Sequence, residues 1–188
     1  MNAREQDFAE MEVRAAVGAD LRHLLAMNHT IESDQVWQLD LRRAAGQVTA
    51  TFREARLPRP TRVQYPHDPS RLSEEWSRKD QIFTAVLGGD RLGYITLMDV
   101  TPSVVRVSDI VVDALYRRRG VGRGLLAAAH SWALARKRRF LVLEVQSKNF
   151  PAIRMAQKCG FEFSGYNDHY YSTQDVALFF VKTIPHGE

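Results

Sequence analysis

The segment Arg117-Arg118-Arg119-Gly120-Val121-Gly122-Arg123-Gly124 gathers the residue types that hold anions. It lies between the β-branched run Val104–Val112 and the apolar stretch Leu125–Leu134, which read as a buried strand and a helix face. A strand that enters a helix through a tight turn presents unpaired backbone N–H groups and the positive end of the helix dipole. Glycines at 120, 122 and 124 keep side chains out of that space and arginines surround it, so the turn reads as a pocket for a phosphorylated ligand. A dinucleotide fingerprint would need a further glycine where Leu125 stands, and a Walker A loop would need a following Gly-Lys-Ser/Thr. Neither is present.

Two acidic residues sit inside otherwise apolar strands: Asp109 in Val107–Val112 and Glu144 in Phe140–Val145. A carboxylate there is costly unless it meets a polar cleft or a partner. The elements that must position these groups sharpen from residue 80 onward. Ile82–Leu87 and Leu92–Met98, joined through Gly88-Gly89-Asp90, predict a hairpin. Strand 104–112, the glycine turn, a helix over 123–135 and strand 140–145 follow. Asn149 and Pro151 open a helix that runs through Ala152–Lys158 and stops at Gly160. Phe161–Tyr166 and Asp175–Lys182 read as two last strands. Earlier in the chain, Met11–Val17 predicts a strand, and Asp20 caps a helix containing Leu21, Leu24 and Leu25. Gln47–Arg53 predicts a strand, Leu57–Pro60 interrupts regular structure, and Thr61–Tyr65 is a short edge strand. A short helix around Leu72 and Trp76 completes the N-terminal part. The order implies an α/β fold in which helices pack on a mixed sheet.

With 188 residues the chain suits a single domain over 1–188, with residues 1–10 and 185–188 as flexible termini. Its 45% hydrophobic and 26% charged residues are ordinary for a globular protein in water. No apolar stretch is long enough to cross a bilayer and the N-terminus is too polar for a signal peptide, which points to the cytoplasm and away from a membrane partner. One cysteine, Cys159, excludes an internal disulfide framework, and six scattered histidines show no metal-ligand spacing. The formal charge of +4 is mild, and Arg136–Arg139 reads as a solvated helix end rather than a nucleic-acid face.

The block from Val107 to Phe161 resembles the GCN5-related N-acetyltransferases. Their Gln/Arg-x-x-Gly-x-Gly/Ala signature is matched by Arg117-x-x-Gly120-x-Gly122, and their Asn, Ala and Gly-Phe set by Asn149, Ala152 and Gly160-Phe161. Within the family, Ser108–Val112 and Leu143–Gln146 are written in the style of streptothricin acetyltransferases and related small-molecule enzymes. The resemblance implies an acyl-CoA N-acyltransferase fold, a central twisted mixed sheet splayed at an acetyl-CoA cleft. The phosphate pocket would then take the pyrophosphate of coenzyme A on the backbone of Arg118 through Gly124. Arg117 would orient the loop, and Ile110, Val111 and Val112 would pair with the pantetheine arm, as would Asn149 and Ala152.

The implied reaction is direct attack of a neutral amine on the acetyl thioester in a ternary complex, with coenzyme A as product. Glu144 and Asp109 are the candidate bases. The family's general-acid tyrosine is replaced by Ala156, so Tyr170 or Tyr171 must supply the missing hydroxyl if a side chain does. Trp37, Trp76, Tyr65 and Tyr166 are candidates for the acceptor pocket, and Asp68 lies in a segment able to roof it. The expected acceptor is a primary amine of a small molecule. The alternatives are a protein N-terminal or lysine acetyltransferase and a non-catalytic acyl-CoA-binding module. A homodimer is compatible with the apolar run Val176–Val181, which reads equally as a central or a partner-facing strand.

Overall fold

The computed structural model describes residues 8–185. In chain order, its N-terminal elements are β1 (Glu12–Ala15), α1 (Leu21–Leu25), β2 (Ile31–Ala44), β3 (Gln47–Val63) and α2 (Arg71–Glu74). There follow β4 (Gln81–Leu87), β5 (Asp90–Thr101), β6 (Val104–Val112), α3 (Val121–Ala135), β7 (Phe140–Gln146), α4 (Phe150–Lys158), β8 (Glu162–Asn167) and β9 (Ala177–Thr183). Of the terminal segments expected to be flexible, 1–7 and 186–188 lie outside the described residues. Phe8–Glu10 forms a single 3-10 turn whose Phe8 packs on the core.

Among the described residues, seven strands form one sheet in the order β1-β4-β5-β6-β7-β9-β8. All its neighbours are antiparallel except β6 and β7, which α3 connects. The run Val176–Val181 therefore lies largely in β9, inside the sheet. The apolar residues of α3 (Val121, Leu125, Leu126, Ala129 and Ala133) recur at helical spacing and are buried against Ile95, Leu97, Val105 and Val107. Each fully buried leucine or isoleucine contributes about 1.5–3 kcal/mol there. Tyr94, Ile82 and Val111 face the other side, where they pack with Leu24, Met27 and Leu72.

A bulge in β6 settles which side chains reach which face. Val107 pairs with Leu97 and Asp109 with Thr96, which leaves Ser108 unmatched on β5. One extra residue reverses a strand's alternation. Before it Val105 and Val107 belong to the α3 core; after it Ile110 and Val112 do, while Val111 turns to the opposite side.

The N-terminal part departs from expectation. Residues 31–63 form a long two-stranded hairpin, β2–β3, outside the main sheet. Leu57–Pro60 does not end the strand: the backbone stays extended but has no partners, because pairing passes from Arg56↔Gln35 to Thr61↔Ser33. Prolines, lacking an N–H, fit such an unpaired stretch. Trp37 and Phe52 anchor the hairpin: the Trp37 ring lies 5.7 Å from Phe163 and 5.6 Å from Phe180, and the Phe52 ring 5.1 Å from Phe163. The basic run is not simply solvated either. Arg138 grips Asp99 through Nε (3.0 Å) and Nη2 (2.6 Å), and Arg136 adds a contact at 3.3 Å.

Asp20 does not cap α1 with its side chain. It is wholly buried and accepts Arg14 Nη1 and Nη2 (2.8 and 3.0 Å), Arg91 Nε (2.8 Å) and the Val17 N–H (2.9 Å). The Arg14 hydrogen bond outweighs burial and holds this carboxyl well below its ordinary value of 3.8. A depressed carboxyl stabilises the fold above its ordinary value; the contribution declines as pH falls below 3.8 and is lost only as pH passes through the depressed native value. Asp20→Asn is therefore expected to cost about 2 kcal/mol at pH 7, with the gap to the native protein narrowed but still open at pH 3. Urea unfolding at the two pH values measures it; an equal gap at both would contradict the clamp.

Candidate active site

The glycine turn is built as a cradle, though its three glycines serve different ends. Gly120 (φ +88°) follows Arg118 (φ +65°) into left-handed backbone, and a methyl at Gly120 would meet nothing within 4 Å. Gly120 thus supplies conformation and open space. Gly122 and Gly124 supply packing instead, a correction to the expectation that all three clear room for a ligand. A methyl at Gly122 would stand 2.5 Å from Met155 Sδ, and one at Gly124 2.8 Å from Met11 Cε. The Gly124 N–H bonds back to Gly120 O at 3.0 Å, so the amides of the first turn before it point out of the helix end. Arg117 fastens the turn, donating from Nε to Val112 O (2.9 Å) and from Nη2 to Asn28 O (2.8 Å). Arg119 lies over the Phe8 ring, and Arg123 is exposed.

Next to this turn the sheet opens. β6 and β7 pair only from Val104↔Phe140 to Val107↔Leu143. Beyond that point Ile110, Val111 and Val112 keep their β5 partners but face a gap where β7 would be. Asn149 caps α4, its Oδ1 accepting the Ala152 N–H at 3.2 Å. Ala156 is fully buried in the core. The fit to a long phosphorylated ligand rests on these two features: an open strand edge and a helix start with its amides outward.

On the opposite face lies a cavity of about 550 Å³. The Ser108 bulge aims Asp109 into it, and Glu144, the first β7 residue past the opening, lines it too. Asp109 Oδ1 accepts the Tyr65 hydroxyl and His67 Nδ1 (3.1 Å), and Oδ2 accepts Thr96 Oγ1 (2.6 Å); Lys79 Nζ stands at 3.7 Å. Burial would raise this carboxyl, but the hydrogen bonds from His67, Thr96 and Tyr65 hold it well below the usual range. Glu144 Oε2 accepts the Tyr170 hydroxyl at 2.8 Å. Glu144 Oε1 is buried with no hydrogen-bond partner among the described residues; His67 Nε2 stands 3.6 Å away. His67 therefore bridges the two carboxylates, which push its imidazole up to about 9 despite burial. Burial and then Glu144 push the Tyr170 phenol up to about 12 and raise Tyr171 further.

Glu144, Asp109, Tyr170, Tyr171 and Tyr65 thus meet in one cavity, and Asp68 stands at its wall. Three other candidates do not reach it. Trp37 belongs to the hairpin's aromatic anchor, Tyr166 packs on Phe52 at 5.2 Å, and Trp76 packs on the Leu24–Tyr94 cluster. Large aromatic rings near a cleft bury more surface by packing than by lining it. Sequence reading missed His67, Lys79, Thr96 and Arg106. For Arg106 and Ser108 a signal existed: two polar residues two apart in an apolar strand share a face. For His67, framed by Pro66 and Asp68 in a loop, there was none.

The family model of the acetyltransferase (GNAT) family matches residues 49–161. Over 115 residues the chain is 30% identical to a streptothricin acetyltransferase of Escherichia coli, covering 61% of this chain and just under two thirds (66%) of that enzyme. It is 28% identical over 133 residues to streptothricin acetyltransferase A of Bacillus subtilis, covering 69% of this chain and 77% of that enzyme. The crystal structure of a nourseothricin acetyltransferase superposes with a TM-score of 0.75 at 26% identity, over 93% of this chain and 99% of that one.

A histidine raised from 6.5 to about 9 stabilises the fold fully below pH 6.5, and that contribution is lost as pH rises through 9. Imidazole NMR is expected to show His67 protonated at pH 7.5, with its titration moved downward in Glu144→Gln. Titration at or below 6.5 in the native protein would break the bridged arrangement.

Proposed function

The chain belongs to the acetyltransferase (GNAT) family, whose members use acetyl-CoA, and on that premise we propose that it acetylates a primary amine of a small molecule by direct attack within a ternary complex. The observation that carries this reading is Glu144 Oε1: a buried carboxylate oxygen in the cavity, at the mouth of the strand opening, with no donor bonded to it. A buried carboxylate oxygen left unsatisfied is costly, and an ammonium group is the donor that would satisfy it.

Acetyl-CoA supplies the acyl group: a C–N bond to the amine forms as the thioester C–S bond breaks. The turn from Arg118 through Gly124 would take its pyrophosphate, and the free edge of Ile110, Val111 and Val112 its pantetheine arm. Glu144 Oε1 anchors the ammonium and takes its proton, while Tyr170, bonded to Oε2, leaves Oε1 as the oxygen on offer. Asp109 is engaged by three donors, so its role is to position His67, whose charge in turn steadies Glu144. Tyr170 stays protonated at neutral pH and is the hydroxyl available where Ala156 has none. A cavity of this volume is in the range of small-molecule sites. The names of the similar enzymes make streptothricin-type antibiotics the first acceptors to try.

Thiol release from acetyl-CoA, screened over streptothricin, aminoglycosides, polyamines, amino acids and peptides, tests the reading; silence across the panel would overturn it. Glu144→Gln is expected to lower kcat about 100-fold while acetyl-CoA affinity by calorimetry stays within about twofold. Gly120→Val, which forces a β-branched residue to φ +88°, is expected to weaken acetyl-CoA binding with the cavity residues intact. Undiminished affinity in that variant would move the pyrophosphate elsewhere.

A further inference from the structure

The charges of the cavity wall fall into two classes. Most are already engaged. Asp109 accepts three hydrogen bonds. Lys79 Nζ lies 3.2 Å from Ser108 Oγ and 3.3 Å from Glu75 Oε2, and Glu75 also pairs with Arg71. Asp68 accepts the Ser70 N–H at 2.9 Å. Arg78 lines the cavity as well, exposed and without a side-chain partner, but two of the lining charges carry a buried polar atom with no hydrogen bond among the described residues, and they are of opposite sign. One is Glu144 Oε1. The other is Arg106, whose Nε is buried with no acceptor among the described residues and whose Nη1 makes a single 3.3 Å contact with the Tyr170 hydroxyl.

Tyr170 stands between the two. Its hydroxyl donates to Glu144 Oε2 at 2.8 Å and accepts from Arg106 Nη1, so Arg106 Nη1 and Glu144 Oε2 are no more than about 6 Å apart. Arg106 precedes the bulge and Asp109 follows it, which puts both on the cavity side of β6. A guanidinium with a buried free N–H recognises a planar oxyanion through two parallel hydrogen bonds. A carboxylate is such a group. The unbonded atoms, Glu144 Oε1 and Arg106 Nε, lie about 2 Å from Oε2 and Nη1 respectively, so they are no more than about 10 Å apart, a span that a ligand carrying its ammonium and carboxylate on one carbon bridges with a hydrogen bond at each end.

We propose that the acceptor is a zwitterion, a free amino acid whose ammonium rests on Glu144 and whose carboxylate is held by Arg106. This rests on the reading of the cavity as the acceptor site, and it narrows that reading from any small amine to one with an anion beside it. Arg106 is then a specificity residue: it selects the acceptor and leaves the chemistry at the amine to Glu144.

The test pairs each of the common amino acids with its own carboxamide, which keeps the amine and removes the anion. Binding is read by calorimetry on protein loaded with coenzyme A, and transfer by thiol release. At least one acid is expected to exceed its amide about tenfold in affinity and in kcat/KM. That preference falls towards one in Arg106→Gln and is partly restored in Arg106→Lys, which retains charge but not the fork. Equal treatment of acid and amide in every pair overturns the proposal, as does a preference that survives Arg106→Gln. If amides and other uncharged amines are acetylated as well as the acids, the acetyltransferase reading stands and the zwitterion falls. If no amine is acetylated, the transfer reading falls, and the binding ratio decides the role of Arg106 by itself.

Discussion

Adjacent strands that separate partway along their length must leave main-chain donors and acceptors without partners, and a fold bears that cost only where something else takes them up. In this protein the separation comes after Val107 and Leu143, and nearly every functional group is placed by it. The open edge of Ile110–Val112 leads to the glycine turn on one side. On the other, the first residue freed on β7 is Glu144. The Ser108 bulge acts together with the separation, since it turns Asp109 to the face where Glu144 needs a countercharge, delivered through His67. The open strand edge and the acidic cavity are thus two sides of a single break in the sheet.

The cavity's electrostatics follow from sharing. Asp109 and Glu144 are two anions on neighbouring strands, and like charges in a buried site repel unless a cation lies between them. His67 is that cation, and it comes from the loop after β3 rather than from the sheet. The hairpin β2–β3 accordingly has a purpose beyond its own packing. Its aromatic anchor on Phe163 and Phe180 and the Thr61–Val63 pairing fix where β3 ends, and so where Tyr65 and His67 begin.

What could be read from the sequence was what is local in it. The glycine turn, its strand and its helix are consecutive residues, so their order already carries the outward-facing helix start. Asp109 and Glu144 stood out because a carboxylate in an apolar strand is anomalous by itself. The cavity was not legible in the same way. It draws on residues near 65–79, 94–98, 106–109, 144 and 170–172, whose proximity exists only after folding. β2 was legible and was missed: Trp37, Leu39 and Leu41, half-buried, alternate with exposed Gln38, Asp40 and Arg42. The prolines at 58 and 60 correctly marked lost pairing, though not the end of an extended chain. Trp37 and Trp76 misled because their bulk fits a core as well as a pocket.

β1 is four residues long, lies at the sheet's edge and is the strand pressed against the first turn of α3 through Met11, Val13 and Gly124. Short edge strands are the places where native proteins open locally, at a fraction of the free energy of global unfolding. Here the strand is pinned by the Arg14–Asp20–Arg91 cluster, which ties it to β5. One buried carboxylate therefore adds to what the pairing with β4 already contributes to holding the strand closed. When β1 lifts, the side chains of Met11 and Val13 leave Gly124, so the packing beneath the first turn of α3 depends in part on a carboxylate on the far side of that strand.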